Sequence, residues 1–189
     1  MIDKMIRAAR LDISLYEEVE RDEAVTTEAM MVVVLVSLLS GLGSGLAALV
    51  SGQRGFVGLI VGLIVGAIAA LIGWAIMAVL TYVIGTSVFG GTATIGEMLR
   101  TLGYAYTPNV LGVLSFIPCL GPLLALVGFL WHLVAIVVAV RQALDFDTTK
   151  AVLTCIIGWV VGMIVFAVIA ATVGGGLALL GALTGAVGR

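Results

Sequence analysis

The residues that could do chemistry are few. His132 is the sole histidine and stands beside Trp131 inside Leu123–Val140, a stretch without Asp, Glu, Lys or Arg. One imidazole cannot hold a zinc ion, which takes three or four ligands. No Ser/His/Asp set, HExxH motif or phosphate-binding loop occurs. A protease working inside a membrane would need paired Asp, a Ser–His dyad or a zinc cluster. The chain is therefore expected to be no enzyme, with no catalytic, metal or cofactor-binding residue and no cofactor. His132 reads first as a neutral ring hydrogen-bonded to a neighbouring helix, for example through Ser115 or Thr154. The sharper reading makes it a substrate contact in a small cavity, with Tyr104, Tyr106 and Asn109.

The carboxylates form the second group. Residues 1–29 carry eight of the eleven Asp and Glu. Glu17, Glu18, Glu20, Asp22, Glu23 and Glu28 cluster there, and Asp145 and Asp147 stand in the polar loop Arg141–Lys150. The plain reading is a solvated helix face. The sharper one is a docking surface, with Glu17, Glu18, Glu20, Asp145 and Asp147 meeting a basic partner. No EF-hand spacing supports a calcium site. The net charge of −2 and the lack of a basic patch argue against nucleic acid.

The elements that hold these residues must lie in lipid. The 189 residues are 62% hydrophobic and 11% charged, with mean hydropathy +1.28. Soluble domains run near 45–50% apolar and about 25% charged. The fold class expected is all-α: a polytopic helical membrane protein with five transmembrane helices plus interfacial amphipathic helices. Membrane lipid is then an obligatory partner. Three regions follow: an N-terminal segment 1–29, a membrane domain 30–176 and an apolar tail 177–189. The first apolar run begins only at Met30, so no cleaved signal peptide is expected.

Met1, Ile2, Met5, Ile6 and Ala9 share a helix face opposite Lys4, Arg7 and Arg10, which predicts a helix lying on the membrane surface. Ser14 and Glu17 fit a capping box for a second helix, Leu15–Arg21. Span one is Met30–Val50 and span two Phe56–Gly85. Thr94 and Glu97 cap a further surface helix, with Ile95, Met98, Leu99 and Leu102 opposite Glu97 and Arg100. Tyr104–Ile117 is short, about 21 Å as helix against roughly 30 Å of hydrocarbon. It reads as a partial third span, capped at Thr107 and Pro108, or as a span that extends back through Leu99 with Arg100 snorkelling to the surface. The turn Pro118–Pro122 leads into span four, Leu123–Val140. Asp147 caps span five, Ala151–Val173, which the run Gly174–Gly176 ends. Small residues recur every four positions at Ser37, Gly41, Gly45 and at Gly58, Gly62, Gly66, predicting a hairpin packed glycine to glycine. Gly158 and Gly162 give span five a similar face, and such faces would serve a homo- or hetero-oligomer.

Lys and Arg set the orientation. With five crossings and the N-terminus inside, Lys4, Arg7, Arg10, Arg21, Arg100, Arg141 and Lys150 are cytoplasmic and only Arg54 and Arg189 are outside. The C-terminus is then outside, and Cys119 and Cys155 fall at opposite faces, beyond disulfide reach.

Three segments resemble the Yip-domain family (Ypt-interacting-protein type), in particular its prokaryotic branch. They are LYEEVERDEAVT at 15–26, FGGTATIGEMLRTLGYAYTPNVLGVLSFIPCLGPLLALVG at 89–128 and RQALDFDTTKAVL at 141–153. Gly103-Tyr104 followed by Pro108 is similar to a motif of the eukaryotic members. Their Asp-Leu-Tyr-Gly-Pro run is absent. The resemblance implies five spans with a cytoplasmic N-terminus, and a plasma membrane as the residence of a prokaryotic member. Eukaryotic members bind Rab-type GTPases and shape or sort vesicle membranes, and no catalytic residue carries over. The functional expectation is a non-enzymatic membrane scaffold that docks a protein partner on its cytoplasmic face. The alternatives are a small transporter, using the break around Gly103, Tyr104, Pro108, Asn109, Pro118, Pro122 and His132, or a subunit of a larger membrane complex.

Overall fold

A computed structural model shows an all-helical chain. It describes residues 1–187, of which 169–170 and 173–187 are described only as helix. Two short helices, α1 (Ile2–Ala9) and α2 (Ile13–Arg21), precede a 3-10 turn, Glu23–Val25. Then come α3 (Thr26–Val50), α4 (Phe56–Phe89), α5 (Ile95–Ala105), a 3-10 segment (Thr107–Phe116), α6 (Leu120–Ala143) and α7 (Thr148–Val187). The stop expected at Gly174–Gly176 does not occur: α7 continues through the three glycines to Val187, so the expected tail is helical as far as it is described, and only 188–189 lie outside the described residues.

The helix ends follow local chemistry. The Thr94–Glu97 capping box forms, at 3.2 Å and 2.8 Å. Asp147 accepts from the backbone of Thr149 and Lys150 and starts α7. Gly90, at φ 71°, lets α4 stop in a left-handed residue. The box expected between Ser14 and Glu17 does not form. Asp12 caps α2 instead, accepting from the Ser14 amide at 3.0 Å.

Among the described residues four helical stretches are long and apolar enough to cross a membrane: Glu23–Val50, Phe56–Phe89, Leu120–Ala143 and Thr148–Val168. The expected third span is not among them. Its chain, Tyr104–Ile117, takes the end of the 11-residue α5 and the 10 residues of the 3-10 segment. Neither piece alone spans about 30 Å of hydrocarbon.

The path of that divided segment is well defined. Along α3, Gly103 abuts Ala29 and Gly112 abuts Ser40. Along α6, Ala105 meets His132, Pro108 meets Gly128 and Ser115 meets Gly121. The segment therefore runs parallel to α3 and antiparallel to α6 from Gly103 to Ser115. Glycines make this approach close, since a Cβ on Gly43 would sit 2.6 Å from the Val113 carbonyl oxygen.

The α3–α4 hairpin forms but is not packed glycine to glycine. Gly41 faces Leu63, Gly45 faces Leu59, and Arg54 folds back over Gly58 and Gly62. Gly66 is exposed. A stripe of small residues fixes where a helix can approach, and the larger leucines on the partner fill the space better. Gly158 and Gly162 do face α4, at Met77, Thr81 and Leu80. Ser37 returns its hydroxyl to the Val34 carbonyl.

The helix expected on the membrane surface, α5, is buried instead. It packs against α2, α3, α4 and α6, and Met98, Leu102, Tyr104 and Ala105 are inaccessible or nearly so. Amphipathic spacing cannot tell a lipid surface from a neighbouring helix. Likewise α1 buries Met5 and Ala8 while Ile2 and Ile6 stay exposed. The expected apolar face is thus divided between the bundle and the outside.

Candidate functional site

The break between α5 and the 3-10 segment is built by one proline. In α-helical register Pro108 would donate to the Tyr104 carbonyl, and in 3-10 register to the Ala105 carbonyl. Proline has no N–H, so the Ala105 carbonyl loses its donor, while the Tyr104 carbonyl still accepts a backbone N–H at the end of α5. The Asn109 amide does not replace it, because it bonds Tyr106 at 3.0 Å. A histidine from α6 fills the gap at Ala105, and a threonine adds a second bond at Tyr104. The Thr107 hydroxyl donates to Tyr104 at 2.7 Å, and His132 Nδ1 donates to Ala105 at 2.7 Å. The Ser40 hydroxyl then donates to the Asn109 carbonyl at 2.6 Å. Within a bilayer no water could serve these carbonyls.

His132 therefore bonds a neighbouring helix, as expected, but neither through Ser115 nor through Thr154, whose hydroxyls are buried without a partner. Thr107 acts at the end of α5 rather than as the cap of the next segment. Replacing His132 by leucine leaves the Ala105 carbonyl unsatisfied and should cost about 1–3 kcal/mol. His132→Asn keeps a nitrogen donor where Nδ1 stands and should recover most of that loss. Thermal unfolding in detergent checks the ordering, and equal loss in both variants would contradict it.

At the far end, Pro118 leads into Cys119, which holds a φ of 64°. Pro122 sits in the first turn of α6, where its missing N–H costs nothing. Cys119 is exposed and Cys155 buried, and both are free thiols.

Two cavities meet at Tyr106. One, of about 600 Å³, lies among α4, α5, α6 and α7 and is lined by Trp74, Tyr106, His132 and Trp159 among others. The other, of about 280 Å³, includes Ser37, Ser40, Tyr106 and Asn109. Three of the four residues expected to line a site, Tyr106, Asn109 and His132, thus border adjoining cavities. Tyr104 lies buried on the Glu28 side and lines neither.

The residue that sequence reasoning missed is Arg100. It is 5% exposed, and its guanidinium reaches the open C-terminal end of α2. Nε donates to the Val19 carbonyl at 2.8 Å, Nη2 donates to the Glu20 carbonyl, and Nη1 reaches the Thr26 hydroxyl at 3.4 Å. The last carbonyls of a helix lack intrahelical partners and carry the negative end of its dipole. A buried cation answers both needs. The partner atoms lie some eighty residues away in backbone groups, so side-chain patterns carried no signal for this contact.

Arg100 thereby seats α2, whose Leu15, Tyr16 and Val19 are fully buried. Burial pushes the Tyr16 hydroxyl well above its usual pKa. The outward face of this unit is acidic. Burial, then Glu97 and Asp145, hold the Glu20 carboxyl above its usual range, with Arg21 opposing and Glu17 adding to the rise. Gln142 donates to Glu17 at 3.3 Å, and Thr92 donates to Asp145 at 3.3 Å. Three separate segments thus bring Glu17, Glu20, Glu97 and Asp145 onto one face. Glu18 does not join it. Arg7 binds Glu18 at 2.7 Å and Asp12 at 2.9 Å, clasping α1 to α2. This clasp lowers the Asp12 carboxyl to about 2, first through the Arg7 hydrogen bond. Asp147 is occupied as the cap of α7. Among the described residues no group of three or more His, Cys, Asp or Glu could hold a metal ion.

The raised Glu20 carboxyl sets a pH dependence. The folded chain holds that proton more tightly than the unfolded chain, so the repulsion is present above the folded pKa and absent below the unfolded one. Acidification from neutrality through the upper carboxylate range should raise the unfolding temperature by this contribution. Glu20→Gln should raise it at neutral pH and remove that part of the pH dependence. Identical pH profiles for the two proteins would contradict the assignment.

Long apolar helices with broad exposed apolar faces and polar sequence gathered at one end define a multi-pass helical membrane protein. The Yip1 domain family model matches residues 14–169, from α2 into α7, and the chain belongs to that family. No curated protein and no solved structure gives a significant match.

Proposed function

We propose that the protein is a non-enzymatic membrane scaffold that docks a basic protein partner on the face formed by α2, the start of α5 and the α6–α7 loop. The observation that carries this reading is the convergence of Glu17, Glu20, Glu97 and Asp145 on a platform that Arg100 fixes to the bundle. Carboxylates held together at a cost in repulsion are relieved by a cation supplied from outside.

The topology completes the proposal. The segment from α5 through the 3-10 helix makes the third of five crossings, about 36 Å long at 1.5 and 2.0 Å per residue. Its run alongside both α3 and α6 supports this, because those helices cross. The acidic face and the N-terminus are then cytoplasmic in a prokaryotic plasma membrane, as the Lys and Arg distribution favours. Arg100 no longer counts as a loop charge, and the bias of the remaining residues keeps its sign.

Charge reversal tests the docking. The variant Glu17→Lys, Glu20→Lys, Asp145→Lys should lose most of the partners recovered by crosslinking in intact cells, about tenfold or more, while still reaching the membrane. An unchanged crosslinking profile would reject the acidic face as the dock.

A second reading, a small transporter, rests on the two cavities meeting at Tyr106. Proteoliposomes with a substrate-dependent flux that Tyr106→Trp blocks would favour it. No flux would remove it.

A further inference from the structure

Three side chains that line the larger cavity carry polar atoms with no hydrogen bond among the described residues: the Tyr106 hydroxyl, the Trp159 indole N–H and His132 Nε2, of which only Nε2 is purely an acceptor. His132 is more than nine-tenths buried, and its Nδ1 is committed to the Ala105 carbonyl. A carbonyl only accepts, so Nδ1 carries the proton. A second proton on Nε2 would place a charge in an apolar cavity with no counter-ion among its lining residues. Nε2 is therefore a bare acceptor, and among the described residues none bonds it. The Trp74 indole N–H does not serve it, because it donates to the Leu99 carbonyl at 3.1 Å. The space exists because glycine stands at 73, 158 and 162 along its walls, and a Cβ on Gly73 would meet nothing. Its rim, at Phe129, Trp159 and Phe166, belongs to the exposed apolar surface of α6 and α7.

We propose that this cavity is a binding site for a long-chain alcohol, a lipid whose polar group is a single hydroxyl that donates to His132 Nε2. The lining residues decide the class. No Lys or Arg is present to hold a phosphate or a carboxylate, which excludes phospholipid headgroups and ionised fatty acids from the site. An acceptor with no charge selects a neutral donor. The volume of about 600 Å³ lies within the range of ligand pockets, about 300–1,000 Å³. Entry is lateral, between α6 and α7, from the lipid itself. The site is separate from the acidic face and does not depend on docking there.

The test uses the purified full chain in detergent and two probes, a diazirine-bearing long-chain alcohol and its methyl ether. The ether has the same chain and no donor. The alcohol should label α4 and α7 at about tenfold lower concentration than the ether, the effect of one hydrogen bond in an apolar site. His132→Asn retains the bond to Ala105 and lacks Nε2, so it should bind the two probes equally. Gly73→Leu, which fills the cavity, should lose labelling by both. Equal labelling of the wild type by both probes would overturn the hydroxyl assignment. Labelling that survives in Gly73→Leu would overturn the cavity as the site. The probe comparison on the wild type and the Gly73→Leu result decide the matter even where the asparagine variant fails to fold.

Discussion

Replacing Arg100 by methionine should detach the N-terminal unit from the bundle. Two charge-assisted hydrogen bonds end on the carbonyls of Val19 and Glu20, inside a site that is almost fully buried. Each such bond is worth about 1.5–3 kcal/mol, so their loss should cost roughly 3 kcal/mol or more. Methionine fills the space of the alkyl stem and supplies no donor, leaving the end of α2 uncapped beside apolar side chains. Arg100→Lys should recover only part of the loss, since an ammonium cannot reproduce the planar fork. Limited proteolysis reads the effect directly. In the methionine variant cleavage should appear between residues 10 and 25 while α3–α7 stay intact. An unchanged cleavage pattern would show that Leu15, Tyr16 and Val19 seat α2 without help.

Gly43→Val should disrupt the bundle around the 3-10 segment. A Cβ at this position would lie 2.6 Å from the Val113 carbonyl oxygen and closer still to that of Gly112. Real Cβ atoms do not approach backbone so closely, and the obstacle is main chain that cannot rotate away. Overpacking of a close-packed site costs about 1–3 kcal/mol. The rigid backbone on both sides should place valine at or above the top of that range. Gly66→Val, on the exposed face of α4, is the matched control and should change little. Thermal unfolding of the two variants separates them. Equal unfolding temperatures would mean that the 3-10 segment does not pack against α3 at this point.

Both effects show which parts of the chain could be read in advance. The four long helices follow from composition and length alone, because about twenty apolar residues without charge have few other fates. The Thr94–Glu97 cap and the Asp147 cap follow from local spacing. The break at Pro108 was legible as a break. Its repair was not, because the donor to Ala105 comes from a histidine on another helix and depends on the shift from α to 3-10 register. Amphipathic spacing placed α5 at a surface, and the surface turned out to be that of α2, α3, α4 and α6. The small residues at Gly41 and Gly45 marked a close approach, yet nothing local told that Leu59 and Leu63 would fill it. Among the acidic residues, Glu18 looked equivalent to Glu17 and Glu20. Arg7 claims it, because the step of one residue from Glu17, less than about a third of a turn, points it to α1 rather than to the α6–α7 loop.

If α5 and the 3-10 segment together form the third crossing, the turn before α6 lies on the side opposite the acidic face. The chain carries its own probe for this. Cys119 is exposed at that turn and Cys155 is buried in α7. A membrane-impermeant maleimide applied to intact cells should label the protein at Cys119, and Cys119→Ser should abolish the labelling. A cysteine introduced at Asp145 in that background should react only after the membrane is opened. Labelling of Cys119 and of the cysteine introduced at Asp145 under the same condition would place them on one side and contradict the third crossing.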